Sequence, residues 1–205
     1  MLREQLSATA TRLFVERGFG GVRVAEVAET CGVSEATVFN YFPTKEALVL
    51  DRLEAALDSL RTSLETPGRD PLHAVQQVLK GELTSITEWL RAQEDAAEAR
   101  ASLVRFGDLI DQTPSLLAYQ SLMFEKYVSA AVEVLARRAS LERDDPEPQI
   151  AARGIMCLWL IQAQSLQRHL RKRTGSTLIE TRVTADVQRA AALLRDGLGT
   201  FTMRS

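Results

Sequence analysis

Residues 24–45 read VAEVAETCGVSEATVFNYFPTK, and this stretch decides the fold. Val24, Val27, Ala28 and Cys31 recur at i, i+3, i+4 and i+7, the spacing that gathers apolar groups on one face of a helix about two turns long. Gly32 follows, where a left-handed residue lets the chain turn sharply. Ser34 then precedes a second short helical run, Glu35 to Phe42. Its hydroxyl can cap free amides, and Glu35 sits at the positive end of the helix dipole. Pro43 stops that run, and Thr44 is positioned to cap the next one. Two short helices joined by a glycine turn are the parts of a helix-turn-helix, in which the first helix braces the second in the major groove of DNA.

Spacing also assigns the faces. Val38 and Phe42 lie four apart and are expected in the core with Leu13, Phe14 and Val27. That leaves Glu35, Ala36, Thr37, Asn40 and Tyr41 toward the open surface. Asn40 carries an amide that pairs with adenine N6 and N7, Thr37 a hydroxyl and a methyl for thymine, and Glu35 an acceptor for cytosine N4. Lys45 and Tyr41 are the types that hold phosphates, one a point charge and the other a hydroxyl on a rigid ring. A packed three-helix lobe with no DNA to read would show the same spacing.

Outward from this centre, Leu6, Ala10, Leu13 and Phe14 predict a helix over 3–17 that ends at Gly18. Downstream, Val49, Leu53, Leu57, Leu60 and Leu64 form one apolar stripe, which predicts a single connecting helix running to Pro67-Gly68. Longer helices are expected at about 71–92, 95–111, 115–140, 147–173 and 179–200. Thr113-Pro114, the acidic turn Asp144-Asp145-Pro146-Glu147-Pro148 and Gly175-Ser176 punctuate them. The expectation is an all-α chain with a three-helix helix-turn-helix domain over 1–47 and a helical ligand-binding and dimerisation domain over 48–205.

Composition limits the function. The 205 residues hold 25 Lys and Arg against 27 Asp and Glu, a net charge of -2, and 45% are hydrophobic. A generally basic nucleic-acid binder is excluded, so a DNA surface must be local. Residues 1–47 carry five basic against six acidic side chains, so phosphate affinity there depends on placement. Cys31 and Cys157 give no disulfide framework, no charged-then-apolar leader is present, and no apolar run approaches the roughly 18 residues that cross a bilayer. A reducing cytoplasm is expected, with no membrane partner. His73 and His169 are the only histidines, and only His73 has an acidic residue three before it, whereas a di-iron helical site needs two such pairs. No G-x-S-x-G or G-x-x-x-x-G-K-[ST] is found, and Gly18-Phe19-Gly20-Gly21 follows a helix instead of a strand. No catalytic residue, metal or cofactor is expected.

The order Ala10-x-x-Leu13-Phe14, Gly18-Phe19, Val24-x-x-Val27-Ala28 and Gly32-Val33-Ser34-x-x-Thr37-Val38-Phe39-x-Tyr41-Phe42-Pro43-x-Lys45-Glu46-x-Leu48 resembles the amino-terminal domain of TetR-family repressors. The resemblance covers about the first 50 residues. It implies an all-helical homodimer that binds a palindromic double-stranded operator until a small ligand releases it. It further implies DNA contacts at Ser34, Thr37, Phe39, Tyr41 and Lys45. Thr44 and Arg23 join them as candidates. Arg23 stands where the family usually has a capping Thr or Ser, and can reach a phosphate bidentately instead. Phe39 stands where Tyr is usual and lacks that hydroxyl. The run Val38 to Lys45 resembles the subgroup whose carboxy-terminal half is described as acyl-CoA-like ligand binding, which implies an apolar or acyl-type effector.

In the second half, Trp89, Phe106, Met123, Tyr127 and Trp159 are large enough to line a cavity between helices, and the same spacing serves a filled core. Arg105 and Gln162 are the polar candidates among them, and Arg105 needs an anionic partner, from the protein or from a ligand. Residues 150–161 are apolar on nearly every side. With Val183, Val187, Ala190, Leu194 and Leu198 they suggest a four-helix dimer seam, or the same two helices packed within a monomer. Arg168, Arg171, Lys172 and Arg173 end a helix, where cations complement the dipole and stay solvated.

Overall fold

The computed structural model describes residues 1–66, 70–172 and 175–196. Among them are ten helices: α1 (Leu2–Arg17), α2 (Val24–Thr30), α3 (Glu35–Tyr41), α4 (Lys45–Val49), α5 (Asp51–Glu65), α6 (Pro71–Ala92), α7 (Ala96–Gln112), α8 (Pro114–Ala139), α9 (Pro146–Arg171) and α10 (Ser176–Asp196). The described residues contain no strand, so the chain is all-α as expected. Leu198 and Arg173, placed by sequence in a helical stripe and a cationic cluster, lie outside the described residues, as does the Pro67-Gly68 break.

The helix boundaries follow from capping chemistry. The Asp70 carboxylate accepts the amide of His73 at 2.9 Å, ahead of Pro71, whose missing N–H costs nothing in a first turn. Asp95 accepts from Ala97 and Glu98 at 3.0 and 2.9 Å and starts α7 in the same way. The predicted single connecting helix is in fact two, α4 and α5, separated at Leu50, whose φ and ψ are -98° and 17°. Ala47, Leu48, Val49 and Leu50 are all at most 3% exposed. Four consecutive buried residues exceed what one face of a straight helix can cover, and the bend at Leu50 lets all four be buried.

The chain divides into two compact units, residues 1–55 with 101–123, and residues 56–100 with 124–205. In the first, α1 packs on α2 and α4, and α2 on α3. Leu6, Ala10, Phe14, Val27 and Val38 are fully buried there. Leu13, expected in that core, is only half-buried, because the inner face of α1 follows the four-residue step from Leu6 through Ala10 to Phe14. In the second unit α6, α9 and α10 pack pairwise. Ile179, Val183, Val187 and Ala191 turn the inner face of α10 into that core, each large aliphatic contributing about 1.5–3 kcal/mol. Val183 and Val187 therefore belong to the core of their own chain, whereas Leu194 is 42% and Ile150 70% exposed. Polar ties register the helices. The Gln162 amide donates to the Leu79 carbonyl at 3.0 Å, and Glu180 accepts from Thr84, Thr87 and Arg91.

Burial pushes the Glu82 carboxyl on α6 from its ordinary 4.5 up to about 7. Between those values the folded chain keeps a proton that the unfolded chain releases, so this group lowers stability as pH rises through that window. His169, held below its ordinary 6.5 by burial and then by Arg168, works in the opposite direction, so the contribution of Glu82 is read by difference. Glu82→Gln is expected to gain stability relative to the parent as pH rises from about 5 to 8, measured by urea denaturation. A parent-to-variant difference that does not change with pH would contradict this assignment.

Candidate nucleic-acid interface

Helix α3 is built as its sequence dictates. The Ser34 hydroxyl accepts the amide of Thr37 at 3.1 Å and lies 2.8 Å from the Thr37 hydroxyl. Gly32 makes the preceding turn with φ +70°, the left-handed value expected of it. Val38 and Phe42 are 0% and 1% exposed, so one side of α3 is spent on the core. Glu35, Ala36, Phe39, Asn40 and Tyr41 are exposed on the rest, with Phe39 at 43% and Tyr41 at 40%. Thr37 is half-buried, and its hydroxyl is occupied by Ser34. Ser34 and Thr44 act as caps here, Thr44 accepting from Ala47 at 3.2 Å, and both remain exposed.

The cations are disposed less openly than the sequence suggests. The Lys45 ammonium donates to the Phe19 carbonyl and stands 4.4 Å and 5.2 Å from the ring centroids of Phe19 and Phe14. Burial there pushes its pKa down from 10.5. Arg17 donates to the Gly21 carbonyl and pairs with Glu26 at 2.8 Å. Gly21 is required, since a Cβ there would lie 2.4 Å from the carbonyl oxygen of Arg17. Glu26 also accepts the Arg23 amide, at 2.9 Å. That bond, followed by the Arg17 side chain, holds its carboxyl below the usual range. The Arg23 guanidinium is 84% exposed and reaches Glu26 only at 3.6 Å. Sequence reasoning missed Arg3, which pairs with Asp51 at 2.6 Å and donates to the Tyr41 carbonyl at 3.3 Å. A partner 48 positions away leaves no periodic trace.

The effector candidates divide between the units. Arg105 is exposed, Phe106 half-buried and Met123 buried in the first. In the second, Trp89 is 43% exposed, Trp159 is half-buried, the buried Tyr127 donates to Asp58 at 3.2 Å, and Gln162 is buried on the Leu79 carbonyl. Two open grooves, one of about 220 Å³ beside Val132 and Arg143 and one of about 330 Å³ beside Ile161 and Ala190, are lined by none of these seven residues. Among the described residues no group of three or more His, Cys, Asp or Glu converges as a metal site, and no helix is long and apolar enough to cross a membrane.

Residues 6–51 match the family model described as bacterial regulatory proteins, tetR family. Among curated proteins the chain is similar to the HTH-type transcriptional regulator TcmR of Streptomyces glaucescens, 27% identical over 70% of this chain. That match spans 62% of TcmR, less than two thirds of its length. The HTH-type transcriptional repressor KstR of Rhodococcus jostii is 26% identical over 95% of this chain and 84% of its own. In fold the chain resembles the TetR-family repressor FadR of Thermus thermophilus, solved with lauroyl-CoA, with TM-score 0.54, 23% identity and coverage of 96% and 94%.

Because its ammonium is satisfied within the chain, Lys45 is expected to stabilise the first unit. Lys45→Ala should cost about 1–2 kcal/mol, the sum of one hydrogen bond and ring contacts partly shielded from water. Chemical denaturation checks this, and an unchanged midpoint would contradict it.

Proposed function

We propose that the chain is a TetR-family transcriptional regulator that binds a palindromic DNA operator as a homodimer and lets go of it when a small apolar or acyl-type molecule binds its helical second half. Its relatives are named as regulators, and nothing in its own residues argues for catalysis. The observation that carries the reading is α3. Its inner side is anchored by Val38 and Phe42, and its outer side offers Glu35, Ala36, Phe39, Asn40 and Tyr41 together. The side chains that can read base edges thus share one exposed surface, with Arg23 ahead of α2 as a basic side chain 84% exposed.

The dimer reading rests on the outward side of α9 and α10. Ile150 and Leu194 are exposed there with Ala151 and Cys157, and a Cβ at Gly154 would fall 2.6 Å from Leu194. An apolar face with a small residue beneath a leucine suits close helix packing against a second copy. For the effector, the support is the inventory of Trp89, Arg105, Phe106, Met123, Tyr127, Trp159 and Gln162, together with the lauroyl-CoA bound by a repressor of the same fold. The place of action is the cytoplasm, where the operator is.

Two variants separate base reading from phosphate anchoring. On an operator selected with the parent, Asn40→Ala should lose about 1–3 kcal/mol while random DNA binds almost as before. Arg23→Ala should weaken every sequence and reduce the log-log salt slope by roughly one unit. Fluorescence anisotropy over a salt series reads both. Parent-like behaviour of both variants would remove α3 as the reading helix.

A further inference from the structure

The carboxylate of Glu54 on α5 faces two partners from distant parts of the chain. Its Oε1 accepts the phenol hydroxyl of Tyr119, on α8, at 2.7 Å. Its Oε2 lies 3.6 Å from the guanidinium of Arg3, on α1. Arg3 is in turn fixed by Asp51, donates to the carbonyl of Tyr41, the last residue of α3, and stands 4.8 Å from the centroid of the Phe42 ring. The last residue of α3 is therefore held at its carbonyl by Arg3, and Arg3 in turn by Asp51 and Glu54. Glu54 joins that hold to Tyr119. All of these residues belong to the first unit.

We propose that Tyr119 is a positioning residue for the DNA-reading helix, acting through Glu54 and Arg3 on the exit of α3. The inference rests on α3 being that helix. Burial, and then the neighbouring Glu54 carboxylate, push the phenol above its ordinary pKa, so it stays protonated and remains a donor. The contact is a hydrogen bond to a charged acceptor, the stronger kind, and it is geometrically demanding. Tyr119 makes no claim on a base or a phosphate; its effect on DNA is entirely through placement.

Tyr119→Phe removes the hydroxyl and keeps the ring, so the packing of α8 is preserved. On an operator selected with the parent, affinity should fall about three- to tenfold, affinity for random DNA should hold within about twofold, and the salt slope should not change, since no phosphate contact is lost. A merely structural role would weaken both kinds of DNA together. Combined with Arg3→Ala, the joint loss should be smaller than the product of the separate losses, because both act on one connected set. In the DNA-free protein the amide of Phe42, which donates to the Val38 carbonyl, should exchange faster with solvent than in the parent. Operator affinity within about twofold of the parent, equal losses on operator and random DNA, or fully multiplicative losses would each overturn the proposal. Should the parent select no operator at all, the regulator reading fails by itself, and the exchange of Phe42 then decides the placement role, an unchanged rate overturning it.

Discussion

The structure depends on one constraint: Val38 and Phe42, a single helical turn apart, are both committed to the core beneath α3. A helix of seven residues cannot hold its own shape in water, since nucleation alone makes so short a segment marginal. Its stability comes from the anchored side, from Ser34 at its start and from Arg3 on its last carbonyl. Those same contacts fix which residues are left outside. Asn40 and Tyr41 face outward because the residues on either side of them, Val38 and Phe42, are held inward.

Charge in this region is economised. Arg3 is taken by Asp51, Arg12 by Glu16, Arg17 by Glu26 and Lys45 by a backbone carbonyl and two rings. Four of the five basic side chains of residues 1–47 are thus held by partners within the chain, Arg3 by an acid from beyond that stretch. On the account proposed here, such a surface draws its affinity for DNA less from counterion release than from fit and from groups that meet base edges. Discrimination between sequences then depends on how accurately α3 is placed, which is why the contacts around Tyr41 to Thr44 bear on function as well as on stability.

Much of this was legible in the sequence. Helix α6 falls at 71–92 as expected because Asp70 and Pro71 announce its start. The turn at Gly32 and the caps at Ser34 and Thr44 follow from local chemistry alone. The break at Leu50 was hidden because the apolar stripe runs through it, and periodicity registers which residues are apolar without registering a bend. For α10, period alone could not say which stripe turns inward. Val183 and Val187 face their own core, while Leu194 looks out. That the Lys45 ammonium meets the Phe19 carbonyl was hidden, because a backbone carbonyl has no signature among side chains. Arg3, Glu54 and Tyr119 meet only through tertiary folding, so no spacing rule could have brought them together. Where the effector residues stand shows the same limit, since an inventory of aromatics does not say which of them share a space.

The central claim is that the exposed side of α3 reads DNA, and its most direct test is a residue-by-residue map of contact in solution. Isotope-labelled protein titrated with an operator duplex selected by the parent should show its largest amide shift changes from Ser34 to Tyr41 and at Arg23, with smaller ones along the Tyr41–Thr44 exit. Changes concentrated instead at Arg168, Arg171 and Lys172, with α3 unmoved, would contradict the account.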